Sequence, residues 1–197
     1  MKLFNLKTMM ILLLLGTATI GCTRKVSRVD VDEQIDLSGK WNDTDAQLTA
    51  EELTKQMLSE DWLSNFMQKH NGEKPVVIVG FITNKSHEHI ESEPFIKDIE
   101  RNLILSQKVR IVQGGKMREQ IRMERADQQD NSSVSTMKKW GLEIGADFMV
   151  QGSINSIVDQ IDKKRVVLYQ VNLELTNIQT NEIVWVGQKK IKKFIKR

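Results

Sequence analysis

The spacing of apolar side chains changes period along the chain, and each change marks an element. From Thr49 onward, Leu53, Met57, Leu58, Trp62, Leu63, Phe66 and Met67 recur at helical spacing. Thr49-Ala50-Glu51-Glu52 has the form of a capping box, so the pattern predicts one helix from Thr49 that Asn71-Gly72 closes. Pro75 to Ile82 is an almost unbroken apolar run of strand length, as in a central strand covered on both faces. Pro94 suits the first position of a second helix, whose Phe95, Ile96, Ile99 and Leu103 form one inward stripe. Val109 to Val112 read as a returning strand and Gly114-Gly115 as the turn out of it. A charged helix over Met117 to Arg125, a polar break over Asp127 to Ser133 and a helix over Ser135 to Ile144 follow, the last closed by Gly145.

The final third has a period of two. Val167, Tyr169, Val171, Leu173 and Leu175 alternate with Leu168, Gln170, Asn172 and Glu174. Strands are expected over 146–160, 165–178 and 183–191, the last two linked tightly at Thr180-Asn181, pairing antiparallel with one face covered. The fold class is therefore α/β: a mixed, largely antiparallel β-sheet packed with α-helices. Its core should include Val77, Val79, Phe148, Val150, Leu173 and Trp185.

Ahead of the helices the texture differs. Lys2 and Lys7 precede an apolar run, Met9 to Leu15, and the small-residue stretch Gly16 to Gly21 leads into Cys22. This has the layout of a secretory signal peptide. The run is far shorter than the ~20 apolar residues a membrane-spanning helix needs. Residues 1–21 are read as the removed signal, 22–47 as a polar tether with isolated apolar positions such as Val26, Val29 and Trp41, and 48–197 as a single domain. Ile20-Gly21-Cys22 resembles the lipobox of bacterial lipoproteins, with Thr19 where that pattern prefers an aliphatic residue. The resemblance implies that Cys22 becomes the S-diacylglycerol, N-palmitoyl terminus of the mature chain. Thr23 in place of Asp implies, by the enteric sorting rule, retention at the periplasmic face of the outer membrane.

Composition adds little by itself, since 40% hydrophobic and 28% charged residues are ordinary for a globular domain. Charge placement adds more. The mature chain is nearly neutral, with 27 basic and 26 acidic residues, yet residues 30–61 hold ten acids and two lysines while 183–197 hold six bases and no acid. Such asymmetry points to a charged partner without naming one. Near-neutrality and export make nucleic acid a poor candidate. Cys22 is the sole cysteine, so no disulfide forms within the chain.

No phosphate loop, nucleophile elbow or paired-cysteine metal pattern is present. His87-Glu88-His89 is the one metal-like cluster, but with only His70 elsewhere it lacks the ligand number of a transition-metal site and reads as a solvated loop. Glu51 and Glu52 are explained by the dipole of a helix starting at Thr49. Trp41, Trp62, Trp140 and Trp185 read as core residues. The basic end, Lys189 to Arg197, suits either an anionic partner or lysines that guard a sheet edge against pairing. No catalytic set converges, so no enzyme and no cofactor are expected.

Gly145-Ala-Asp-Phe-Met-Val-Gln-Gly-Ser-Ile154, Tyr169 to Trp185 and Asp36-Leu-Ser-Gly-Lys-Trp41-Asn-Asp-Thr-Asp45 together resemble LpoB-type lipoproteins, activators of class A penicillin-binding proteins. The resemblance spans roughly Asp36 to Lys190. It implies a fold similar to the TolB N-terminal domain and a non-enzymatic, outer-membrane-anchored protein that binds the periplasmic domain of a peptidoglycan synthase and regulates peptidoglycan synthesis. CsgG-type secretion lipoproteins share a similar Gly-Ala-x-x-x-Val-x-Gly-Ser strand and are the alternative, as an envelope assembly component that oligomerises. Their pores need added membrane hairpins, and the link Ile161 to Lys164 is short. Enteric activators carry a Pro-rich tether, whereas Pro75 and Pro94 both lie inside the domain here. No docking residue is carried over.

Overall fold

The computed structural model describes residues 26–30, 33–133, 135 and 143–196. Residues up to Glu33 form one unit and Gln34 onward a second, which carries all the regular elements among the described residues. In the first unit the described residues are exposed, and Glu33 N donates to Asp30 O at 3.2 Å. The signal segment, Cys22 and most of the helix expected over Ser135 to Ile144, including Trp140, lie outside the described residues.

The first helix, α1, runs Asp43–Ser59, starting earlier than Thr49. Its capping box is built from Asn42 and Asp45: Asp45 N donates to Asn42 Oδ1 at 2.9 Å, and Asn42 N donates to Asp45 Oδ2 at 3.0 Å. This box uses the same one-to-four spacing as Thr49 and Glu52 but lies upstream of the apolar stripe. Thr49 therefore sits mid-helix and fully buried, and the acids of the first turn are Asp43 and Asp45, not Glu51 and Glu52. The expected single helix is also two. Glu60 is extended (φ −88°, ψ 159°), and α2, Asp61–Lys69, sets off in a new direction. The break lets Trp62 and Phe66 meet Phe148 edge-on at 5.1 and 5.5 Å, while Trp62 Nε1 donates to Met57 O at 2.6 Å.

Strand β1 (Val76–Lys85) follows, then α3 (Ser92–Ser106), the two-residue β2 (Arg110–Ile111) and α4 (Gly115–Asn131). Phe95, Ile99 and Leu103 are the buried stripe of α3, and Pro94 occupies its third position, still within the turn where a missing N–H costs nothing. α4 extends through the expected polar break and buries no residue. Three long strands complete the chain: β3 (Phe148–Ile161), β4 (Lys164–Asn177) and β5 (Ile183–Lys196).

The sheet order is β2-β1-β3-β4-β5. β1 pairs parallel with β2 and β3, whereas β3–β4 and β4–β5 are antiparallel ladders. The mixed α/β reading holds, with the antiparallel ladders the longer ones. β1 is covered on both faces only over Val76 to Val79; from Phe81 onward one face opens to solvent. All six expected core residues are buried, together with Tyr169, Leu53 and the α3 stripe. Helix α1 approaches β5 closely enough that a Cβ on Gly187 would meet both the Trp185 ring and Leu53.

Candidate partner-binding face

In β5 the residues alternate between two environments. Trp185, Gly187, Lys189, Ile191, Lys193 and Ile195 share the helix-covered side, because their antiparallel partners there include buried Leu175, Leu173, Val171, Tyr169 and Val167. Val186, Gln188, Lys190, Lys192, Phe194 and Lys196 are on the other side, and all are exposed.

On the covered side the two inward lysines meet acids from the start of the domain. Lys193 Nζ lies 2.6 Å from Asp45 Oδ2 and 2.7 Å from Asp36 Oδ1, and it donates to Lys40 O at 2.9 Å. Burial works against its charge, but hydrogen bonds to Asp36 and Asp45 outweigh this and raise its pKa. The hydrogen bond from Lys193, with help from Gln34, lowers that of Asp36. Lys189 pairs with Glu52 at 3.1 Å. Two of the six bases of the basic end are thus neutralised within the domain by the acid-rich segment.

Above the same side Trp41 closes the core, edge-on to Tyr169 at 5.6 Å and to Phe95 at 6.3 Å, its backbone N–H donating to Glu88 Oε2 at 3.2 Å. A residue read as tether is therefore packed into the domain. Tyr169 is fully buried, and its hydroxyl lacks a hydrogen bond of good geometry among the described residues. Burial, with Glu88 beside it, raises its pKa.

The uncovered side is a polar ladder flanked by apolar groups. Gln151 Nε2 donates to Glu174 Oε1 at 2.6 Å, Gln188 Nε2 to Asn172 Oδ1 at 2.9 Å and Gln170 Nε2 to the same oxygen at 3.2 Å. Phe81, 86% exposed, and Val186, 70% exposed, border this ladder along a shallow groove that also includes Thr83, Ser153 and Glu174. Fixed amide donors and acceptors beside uncovered apolar side chains are the makeup of a protein-binding patch. Sequence reasoning missed these residues because the apolar run from Pro75 does not show that one face of β1 opens from Phe81 onward, and it ended β5 at 191, short of Phe194 and Lys196. Carrying its alternation to 196 separates the two kinds of lysine.

The three histidines do not converge. His70 stacks on Phe66, with centroids 3.9 Å apart, and His89 pairs with Glu91 at 2.7 Å. His87 Nε2 lies 2.6 Å from Arg165 Nη2 and 3.3 Å from Glu88 Oε1, and its Nδ1 lies 2.6 Å from Ser156 Oγ. Among the described residues no cluster of three or more metal-ligating side chains occurs, and no helix is long and apolar enough to cross a membrane.

A family model described as peptidoglycan-synthase activator LpoB matches residues 45–191. Among solved structures, the LpoB C-terminal domain from Salmonella enterica is similar at 19% identity and a TM-score of 0.43, covering 76% of this chain and 99% of that one. The solution structure of Escherichia coli LpoB is 15% identical with a TM-score of 0.42, covering 90% and 87%. Lipoprotein GNA1162 from Neisseria meningitidis is 9% identical with a TM-score of 0.39, covering 61% and 83%. No curated protein matches.

Proposed function

Because this chain belongs to the family of LpoB peptidoglycan-synthase activators, we propose that it is a lipoprotein held through Cys22 at the periplasmic face of the outer membrane, where it binds and activates a class A penicillin-binding protein. The observation that carries the reading is the extent of the family match, residues 45–191, which takes in every element from α1 to most of β5. The family is regulatory and not enzymatic, so the chain acts by binding. The secretion-lipoprotein alternative is not favoured by this match.

In this reading the synthase docks on the open ladder between Phe81 and Val186. An exposed aromatic ring beside preformed hydrogen-bonding groups provides a desolvatable anchor with an oriented polar surround. The test is glycan polymerisation by a cognate class A synthase with and without the mature chain. The rate should rise severalfold, and Phe81→Glu should remove the rise. No stimulation together with no binding would overturn the activator reading.

A further inference from the structure

Beyond the end of β1 at Lys85, strands β3, β4 and β5 continue as a three-stranded tip. Cross-strand pairing fixes which side chains share its open face. One row is Ile157, Leu168 and Lys192; the next is Asp159, Val166 and Phe194; the last is Ile161, Lys164 and Lys196. Ile157, Ile161 and Phe194 are 65%, 70% and 64% exposed. Lys163 at the hairpin turn and Lys190 one row inward are exposed as well; the acids beside them are Asp159, Asp162 and, in the adjoining depression, Asp36, which is already paired with Lys193. Unlike Lys189 and Lys193 on the covered side, Lys190, Lys192 and Lys196 form no ion pair among the described residues.

The chain enters the domain at this same end. Asp36 is held by Lys193, and Gly39 lies against Ile195 so closely that a Cβ would overlap it. Leu37 and Ser38 line one depression with Lys192, Phe194 and Lys196. If Cys22 carries lipid, the connection to Gln34 spans at most about 40 Å even when extended, and about 20 Å as a coil. The tip is then the part of the domain tethered nearest the bilayer.

We propose that this tip is a membrane-docking surface for anionic phospholipid, with Phe194, Ile157 and Ile161 entering the headgroup boundary and Lys163, Lys164, Lys190, Lys192 and Lys196 facing the lipid phosphates. Exposed apolar and aromatic groups framed by lysines are the surface that partitions into an anionic interface. Each lysine near such a surface strengthens partitioning roughly fivefold. The proposed synthase ladder stays accessible, since Val186 and Phe194 on β5 are separated by about 27 Å of strand. The inference rests on the lipid-anchor reading for the tip's position, but its test does not use the lipid.

The mature chain carrying Cys22→Ser, and therefore no lipid, is sedimented with vesicles of mixed phosphatidylglycerol and phosphatidylcholine and with vesicles of phosphatidylcholine alone. Preferential binding to the anionic vesicles is expected, weakening as salt rises. Lys192→Glu with Lys196→Glu should lower it by more than about tenfold, and Phe194→Ser should weaken it while leaving the salt dependence in place. All three positions are exposed, and circular dichroism of each variant serves as the check on folding. Equal binding to both vesicle types, or charge reversal without effect, overturns the proposal. So does a double variant that keeps vesicle binding but loses capture of the synthase periplasmic domain, which would make the tip a protein-docking site. Failure of the anchor reading itself would appear separately, as palmitate labelling that persists in Cys22→Ser in cells.

Discussion

Lys193 near the end of β5 holds its ammonium 2.6 Å from the carboxylate of Asp45 in the first turn of α1, with both side chains about nine-tenths buried. Asp45 is also the residue that completes the α1 capping box, so one carboxylate serves the helix start and the last strand together. Removing the lysine leaves that carboxylate buried without its counter-charge. Lys193→Ala should therefore destabilise the domain by about 3 kcal/mol, read as a lower urea midpoint with an unchanged slope.

The neighbouring pair of Lys193 with Asp36, at 2.7 Å, sets a pH response. The folded-state pKa of Asp36 is lowered, so its contribution is complete above the ordinary carboxylate range and is lost as pH falls through the folded value. The folded-state pKa of Lys193 is raised, so its contribution is complete below the ordinary lysine value and is lost only as pH rises through the folded one. Stability should hold across neutral pH and decline below about pH 4. In Lys193→Ala part of that acid decline should disappear, which thermal melts across pH will show.

Tyr169 gives a prediction of opposite sign. Its hydroxyl is buried beside Glu88 without a hydrogen bond of good geometry among the described residues, so Tyr169→Phe removes a weakly satisfied polar group while keeping the ring against Trp41. The change should be neutral or stabilising by up to about 1 kcal/mol. Trp41→Ala, by contrast, should cost about 2 to 4 kcal/mol because it opens the core beside Tyr169 and Phe95.

Gly187 tests the α1–β5 approach. A Cβ there overlaps the Trp185 ring and presses on the tip of Leu53, so Gly187→Val should displace the buried Trp185 ring beneath α1 and lower the melting temperature by more than about 5 °C. Gly72, whose surroundings are open, serves as the control for insertion of a side chain, although its positive φ gives substitution a cost of its own.

For Cys22 the expected outcome concerns location alone. Cys22→Ser should abolish palmitate labelling and release the protein from the outer-membrane fraction, while the domain from Gln34 onward keeps its melting temperature. Label that persists in this variant would refute the anchor.

The sheet was legible because its strands carry strong patterns. The alternation Val167 to Leu175 fixes which face of β4 is covered, and that face holds the core in the structure. Boundaries were less legible wherever two signals had the same form. Thr49-x-x-Glu52 and Asn42-x-x-Asp45 both have capping-box spacing, and tertiary contacts choose between them: Lys193 reaches Asp45, and Trp41 needs the helix to start just after it. The charge asymmetry was visible but carried two meanings. Glu52 and Asp45 take up Lys189 and Lys193, leaving Lys190, Lys192 and Lys196 outward, a division that only strand register reveals. The exposed Phe81 was hidden because the apolar run from Pro75 does not show that β1 loses its second cover partway along.

The pairing of Asp36 and Asp45 with Lys193 also has a temporal side. Asp36 precedes its lysine by 157 residues, so in a chain exported amino-terminus first this closure waits until β5 has followed. A polypeptide that emerges amino-terminus first would present Cys22 for modification while α1 still lacks its counterpart on β5. Acylation would then act on an incomplete fold, and the membrane would hold the chain before its last strand arrives to shut it.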